Sequence, residues 1–187
     1  TIKLNPALDT LWVRRYNGPG NGEDIAYSIA IDIDGNVYVT GSSTGSGTCE
    51  DYATIKYNSD GVQEWVARFD SFCNSAIKLD LDNTGFIYVT GSGGMTGDFI
   101  TIKYNSLGDT VWTATYNGPA NNGENAYSLA VDLNHNVYVT GTSYGIEGNH
   151  DYATVKYNSL GEQKWVSRYS GSGNGEDFSN DIAVDTM

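Results

Sequence analysis

The feature that most restricts how this chain folds is a repeat. Thr-Ile/Val-Lys occurs at Thr1, Thr54, Thr101 and Thr154, with spacings of 53, 47 and 53 residues. Trp12, Trp65, Trp112 and Trp165 keep the same spacings, so every Trp holds one repeat position. Tyr-Val-Thr-Gly returns at Tyr38, Tyr88 and Tyr138. Within one unit, alternating or continuous apolar segments run from Ala26 to Asp32, Val37 to Gly41, Asp51 to Asn58 and Glu64 to Phe69, each bounded by turn residues. Such segments are strands, and four strands in roughly 50 residues is the pattern of a propeller blade. The period of two and the glycine content exclude a solenoid of helix pairs.

The expected fold is therefore all-β, a β-propeller built from four-stranded antiparallel blades. Residues 1–24 supply strands three and four of a partial blade. Whole blades occupy residues 25–74, 75–124 and 125–177, and residues 178–187 supply the first strand of a further blade. Chains that stop inside a hairpin leave an unpaired edge. The expectation is that further blades come from a longer native chain or from other copies.

The unit Asp-x-x-Gly-Asn-Val-Tyr-Val-Thr-Gly followed by Asp-Tyr-Ala-Thr-Ile-Lys-Tyr-Asn-Ser resembles the SBBP class of bacterial propeller repeats, related to NHL-type and quinoprotein-type blades. The resemblance covers essentially the whole chain. It implies a propeller fold in a secreted or surface-attached bacterial protein, placed outside the cell. The family carries no agreed catalytic residues, so it transfers none.

Composition agrees with strands and turns: 23 Gly and 14 Tyr stand against 3 Pro in 187 residues. Pleated surfaces favour Tyr and β-branched residues, and Gly supplies the bends. A formal net charge of −13 repels phosphate backbones, which argues against nucleic acid as a partner. No apolar run approaches the roughly 20 residues of a membrane span.

By analogy with such blades, the Ala-Val-Asp segment is innermost and the Trp segment outermost. The short connections, such as Asp34-Gly35-Asn36 and Ser59-Asp60-Gly61, then share one face. The long ones, Asn17 to Asp24 and Ser42 to Glu50, share the other. Long loops on a rigid scaffold are where binding concentrates, so the long-loop face is expected to meet a protein or polysaccharide partner. Its candidate contacts are Glu23, Asp24, Glu124, Glu176 and Asp177, a partial ring of carboxylates at the channel mouth, with Tyr144 from a long loop. Such a ring concentrates cations, and calcium would relieve its repulsion; the competing reading has these acids capping loop amides.

Asp32, Asp34 and Asn36 resemble the start of a calcium loop, with oxygen ligands at alternate positions. Asp32 capping the backbone amides of a turn explains the same pattern. Cys49 and Cys73, the only cysteines, both deviate from the repeat and both fall on the long-loop face. A disulfide between them is expected, implying an oxidising compartment, with two unrelated free thiols as the alternative. His135 and His150 lack the companions of a zinc site. Two other functions remain in view: a carbohydrate-active hydrolase or lyase using the acidic mouth, and a structural array forming a surface layer or fibre. The recurring Trp residues are expected to wedge between blades, and the recurring Lys and Arg to form structural ion pairs.

Overall fold

The computed structural model describes residues 1–46, 49–70, 73, 75–173 and 175–185. Fourteen strands and no helix form among them. β1 (Ile2–Leu4) and β2 (Thr10–Val13) make a two-stranded sheet. β3 (Asp24–Ile31), β4 (Val37–Thr44), β5 (Glu50–Tyr57) and β6 (Gln63–Phe69) make a four-stranded antiparallel meander. The pattern repeats in β7 (Ser75–Leu81), β8 (Ile87–Gly93), β9 (Asp98–Tyr104) and β10 (Thr110–Tyr116). It returns in β11 (Asn125–Val131), β12 (Val137–Tyr144), β13 (His150–Tyr157) and β14 (Gln163–Tyr169). The expected all-β blade architecture is what the chain adopts.

The hydrophobic core lies between the sheets. Trp12 packs with Val37, Val39, Ile55 and Tyr57 of the next sheet. Tyr38 and Tyr52 pack with Ala76, Leu79, Ile87, Val89 and Ile102. Tyr88, Phe99 and Tyr116 pack with Leu129, Val137, Val139, Val155 and Tyr157. Each fully buried aliphatic or aromatic side chain contributes about 1.5–3 kcal/mol of transfer free energy, so stacking is what stabilises every blade. The second strand of each four-stranded sheet is covered on both faces, which is why its Val/Ile-Tyr-Val-Thr-Gly segment is a near-continuous run rather than an alternating one.

The glycine ending that run has a local cause. The innermost strand bulges at Ala26/Ser28, Ala76/Lys78 and Ala126/Ser128, opposite Gly41, Gly91 and Gly141. A Cβ at those glycines would fall within 1.8–1.9 Å of the carbonyl oxygens of Ile25, Ser75 and Asn125. The bulge brings backbone onto backbone, and only glycine leaves room.

Residues 178–185 form no ladder among the described residues, since no second strand stands beside them there. They nevertheless lie on the third full sheet: the Ser128 hydroxyl donates to Asp181 at 2.5 Å, and Ser179 Oγ donates to the Gly141 carbonyl at 3.0 Å. Between the full sheets the inner strands are tied similarly, Leu79 N to Ser28 Oγ and Val131 N to Asp80 Oδ2. The expectation for Thr186 and Met187 lies outside the described residues.

Candidate binding rim

The long connections meet one another on one face. Gly20 N donates to Thr44 O, and the Glu23 carbonyl accepts from both the amide and the hydroxyl of Thr44. Across the junction of the second and third full sheets Gly123 N donates to Thr96 O and Glu124 N to Gly97 O. At the last junction Asp177 N donates to His150 O. The first loop is thus tied to the sheet that follows it, and the later two to the sheet before them. Between the first two full sheets the tie is covalent: Cys49 and Cys73 form a disulfide with Cα atoms 4.9 Å apart. At the last junction Asn149 Nδ2 donates to Gly175 O, and His150 Nδ1 lies 3.4 Å from Glu176 Oε1.

The candidate acids occupy two kinds of place. Glu23 and Glu176 are exposed. Asp24, Glu124 and Asp177 point inward and accept the amide of a loop glycine six residues earlier, Gly18, Gly118 and Gly171. Glu124 is fully buried, and its Oε2 has no hydrogen-bond partner among the described residues. Burial, reinforced by the neighbouring charge of Asp98, raises its pKa above the ordinary glutamate value. Tyr144 is half-buried; its hydroxyl donates to the Gly148 carbonyl at 2.9 Å and its ring meets His150 edge-on at 5.0 Å.

Beneath the rim lies a polar network invisible in any one segment. Arg68 donates to Asp51 at 2.7 Å, to the hydroxyl and carbonyl of Ser43, and to the Tyr16 hydroxyl of the preceding sheet. Arg168 repeats this with Asp151, Ser143 and Tyr116. At the middle full sheet three of the four members change together, Thr115 standing for Arg, Gly93 for Ser and Phe69 of the preceding sheet for Tyr, while Asp98 remains. Asp98 adds to the burial that raises Glu124, and the Arg168 guanidinium of the next sheet opposes both. Aligning the repeats would have disclosed this concerted loss. The expected ion-pair roles are met by Arg68, Arg168 and Lys56, which pairs with Glu64 at 2.8 Å.

Asp32, Asp34 and Asn36 form a turn on the opposite, short-loop face. Asp32 Oδ1 accepts from the amides of Asp34 and Asn36, and Oδ2 accepts from Asn36 Nδ2 and the Tyr38 hydroxyl. Burial opposes the charge, but these four bonds outweigh it and hold the carboxyl below its ordinary value. Among the described residues no three His, Cys, Asp or Glu side chains converge as metal ligands. A further feature escaped the sequence: a cavity of about 290 Å³ between residues 1–16 and the inner half of β3–β5, lined by Arg15, Asp24, Val39, Gly41, Ile55 and Tyr57 among others.

The repeat, the stacked sheets and the bulge opposite Tyr-Val-Thr-Gly lead to one comparison. Residues 11–47 match the family model described as SBBP, beta-propeller repeat. Tyr38-Val39-Thr40-Gly41 and Trp12 fall within the matched residues, which run from the outer strand of one sheet through the first two strands of the next. No curated protein matches the chain. SBBP repeats suggest a binding or scaffold role, and the disulfide and the lack of a membrane-spanning helix among the described residues are compatible with an extracellular protein.

Proposed function

We propose that this chain is a rigid binding scaffold outside the bacterial cell that presents its long-loop rim to a protein or polysaccharide. The observation that carries the reading is the repetition of one rim geometry: three of the four junctions each bring a carboxylate, at Asp24, Glu124 and Asp177, to the amide of a glycine-rich loop, and the fourth carries the disulfide. Loops anchored this firmly present contact groups with little ordering cost on binding. Glu23, Glu176 and Tyr144 are the groups that reach solvent, and a basic protein or a neutral, hydroxyl-rich polysaccharide suits an acidic rim. The disulfide supports an oxidising compartment.

The test compares the chain with a Glu23→Gln/Glu176→Gln/Tyr144→Ala variant on polysaccharide and basic-protein arrays. Binding should fall at least tenfold while the melting temperature holds. Unchanged binding, or no binding by the parent chain, would sink the proposal. Release of reducing ends from any bound polysaccharide would favour the hydrolase reading instead. That reading requires opposed carboxylates open to substrate, whereas Glu124, the rim acid with the raised pKa, is sealed from solvent.

A further inference from the structure

Where the second and third full sheets meet, a cavity of about 310 Å³ opens on the long-loop side. Its lining comes from the β10–β11 connection, the β12–β13 loop and the end of β14. The ion pair of Asp151 and Arg168 is part of that lining, and Gly145 stands beside it. A Cβ on Gly145 would lie 3.1 Å from Asp151 Oδ2 and 3.6 Å from Arg168 Nη2. Gly145 is not among the glycines with positive φ, so its backbone makes no demand for glycine. What the missing side chain does is leave the ion pair open to the cavity.

Each member of the pair keeps one hydrogen-bonding position unused. Arg168 commits its Nη hydrogens to the Tyr116 and Ser143 hydroxyls, the Ser143 carbonyl and Asp151 Oδ2. Its Nε–H has no acceptor among the described residues. Asp151 is 8 % exposed, and its Oδ1 is buried with no donor among the described residues. Folded proteins rarely leave a buried carboxylate oxygen in that state. The corresponding Asp51 has no buried unpaired oxygen among the described residues, so this feature is particular to the third full sheet.

One unused acceptor beside one unused donor selects the chemistry of a ligand. An anion would meet Arg168 but also Asp151 and the exposed Glu147, which shares the lining. A cation would meet Asp151 but also the guanidinium. A neutral group with hydroxyls on adjacent carbons satisfies both: one hydroxyl donates to Asp151 Oδ1, and the other accepts from Arg168 Nε. Pro119 and Ile146, both exposed, add apolar surface for the C–H face of a sugar ring. The volume is at the small end of the roughly 300–1,000 Å³ of ligand cavities, which suits one ring rather than several.

We infer that the cavity beside Gly145 is a subsite for a single neutral sugar residue, held through two adjacent hydroxyls by Asp151 Oδ1 and Arg168 Nε. This deepens the rim reading, on which it rests for a polysaccharide as the source of the sugar. It uses none of Glu23, Glu176 and Tyr144, so the two can fail separately.

The probes are the methyl glycosides of glucose, galactose, mannose and N-acetylglucosamine, titrated into the isotope-labelled chain, with methylammonium and acetate as charged controls. At least one glycoside should shift the Arg168 Nε–H and Ile146 methyl signals, saturating in the millimolar range usual for a single small ring. Gly145→Ala puts a methyl group against the ion pair while keeping both charges, and should weaken that binding about fivefold or more. Asp151→Asn should weaken it about tenfold or more, as the loss of a charged hydrogen bond does; if that variant does not fold, Gly145→Ala carries the test. Glu147→Gln should change it by less than about twofold, because a neutral ligand feels little of an exposed charge. No glycoside shift at these signals, or binding indifferent to Gly145→Ala, overturns the subsite. Methylammonium or acetate binding there in place of the glycosides overturns the ligand class. If Glu23→Gln/Glu176→Gln/Tyr144→Ala leaves polysaccharide binding intact while glycosides still shift Arg168, the rim reading falls and the subsite stands. If that variant loses the polysaccharide while no glycoside reaches the cavity, the subsite alone falls.

Discussion

At Asp132 both carboxylate oxygens are fully engaged: Oδ1 accepts from the amides of Asn134 and Asn136, Oδ2 from Asn136 Nδ2 and the Tyr138 hydroxyl. Burial opposes the charge, the hydrogen bonds outweigh it, and the carboxyl sits below its ordinary pKa. A depressed folded-state pKa contributes stability that is present above the ordinary carboxylate value and lost as pH falls through the folded one. Asp132→Ala should cost about 1–3 kcal/mol in denaturant unfolding at neutral pH, because it orphans donors of the turn. Its deficit relative to the parent chain should shrink below about pH 4. Glu124 carries the opposite sign. Its raised pKa means that stability is present below the ordinary glutamate value and is lost as pH rises through the folded value. Glu124→Gln should therefore raise stability at neutral pH by on the order of 1 kcal/mol and flatten this part of the pH profile. A variant less stable than the parent at pH 7.5 would refute that. The aspartates were legible in the sequence as turn residues from their Asp-x-x-x-Asn spacing. The state of Glu124 was not, since its burial depends on loops and sheets distant in sequence.

In the strands, the four-segment unit read from the repeat matches β3 to β6, with ends differing by up to three residues. The third unit shows why: β10 keeps the outer-strand position without the Arg that β6 and β14 carry, because backbone pairing and the Trp112 contact fix it. Two glycines with similar backbone angles separate conformational cost from packing. Gly85, at φ 88°, has nothing within 4 Å of a Cβ built on it, whereas one on Gly161, at φ 81°, would press into Trp112. Gly85→Ala should cost about 1–2 kcal/mol, the left-handed penalty alone. Gly161→Ala should lose a further 1–3 kcal/mol or so through overpacking. Chemical denaturation of the two variants measures the difference, and equal losses would contradict the Trp-on-turn contact.

Across the whole molecule, stability comes from a series of inter-sheet junctions fastened by unlike means. The Cys49–Cys73 bridge closes a separation of 24 residues. On the chain-entropy account such a loop is worth about 3 kcal/mol. Cys49→Ser/Cys73→Ser should lower stability by about that amount. Amide exchange should rise chiefly at the junction of β3–β6 with β7–β10, where sheets communicate through apolar packing and few polar ties. A loss spread evenly over all three full sheets would mean that the bridge does not act at one junction.

What the sequence alone determined is what recurs, the strands, the turns and the stacking tryptophans, because each repeated position meets the same neighbours in each unit; the disulfide was legible for the opposite reason, as the one pair of cysteines departing from the repeat on the same face. Tertiary structure decided what differs between units. Whether an acid is sealed or open, and which polar partners an arginine meets, both depend on the sheet alongside. That neighbour lies roughly 50 residues away, where local propensity and spacing carry no information about contact.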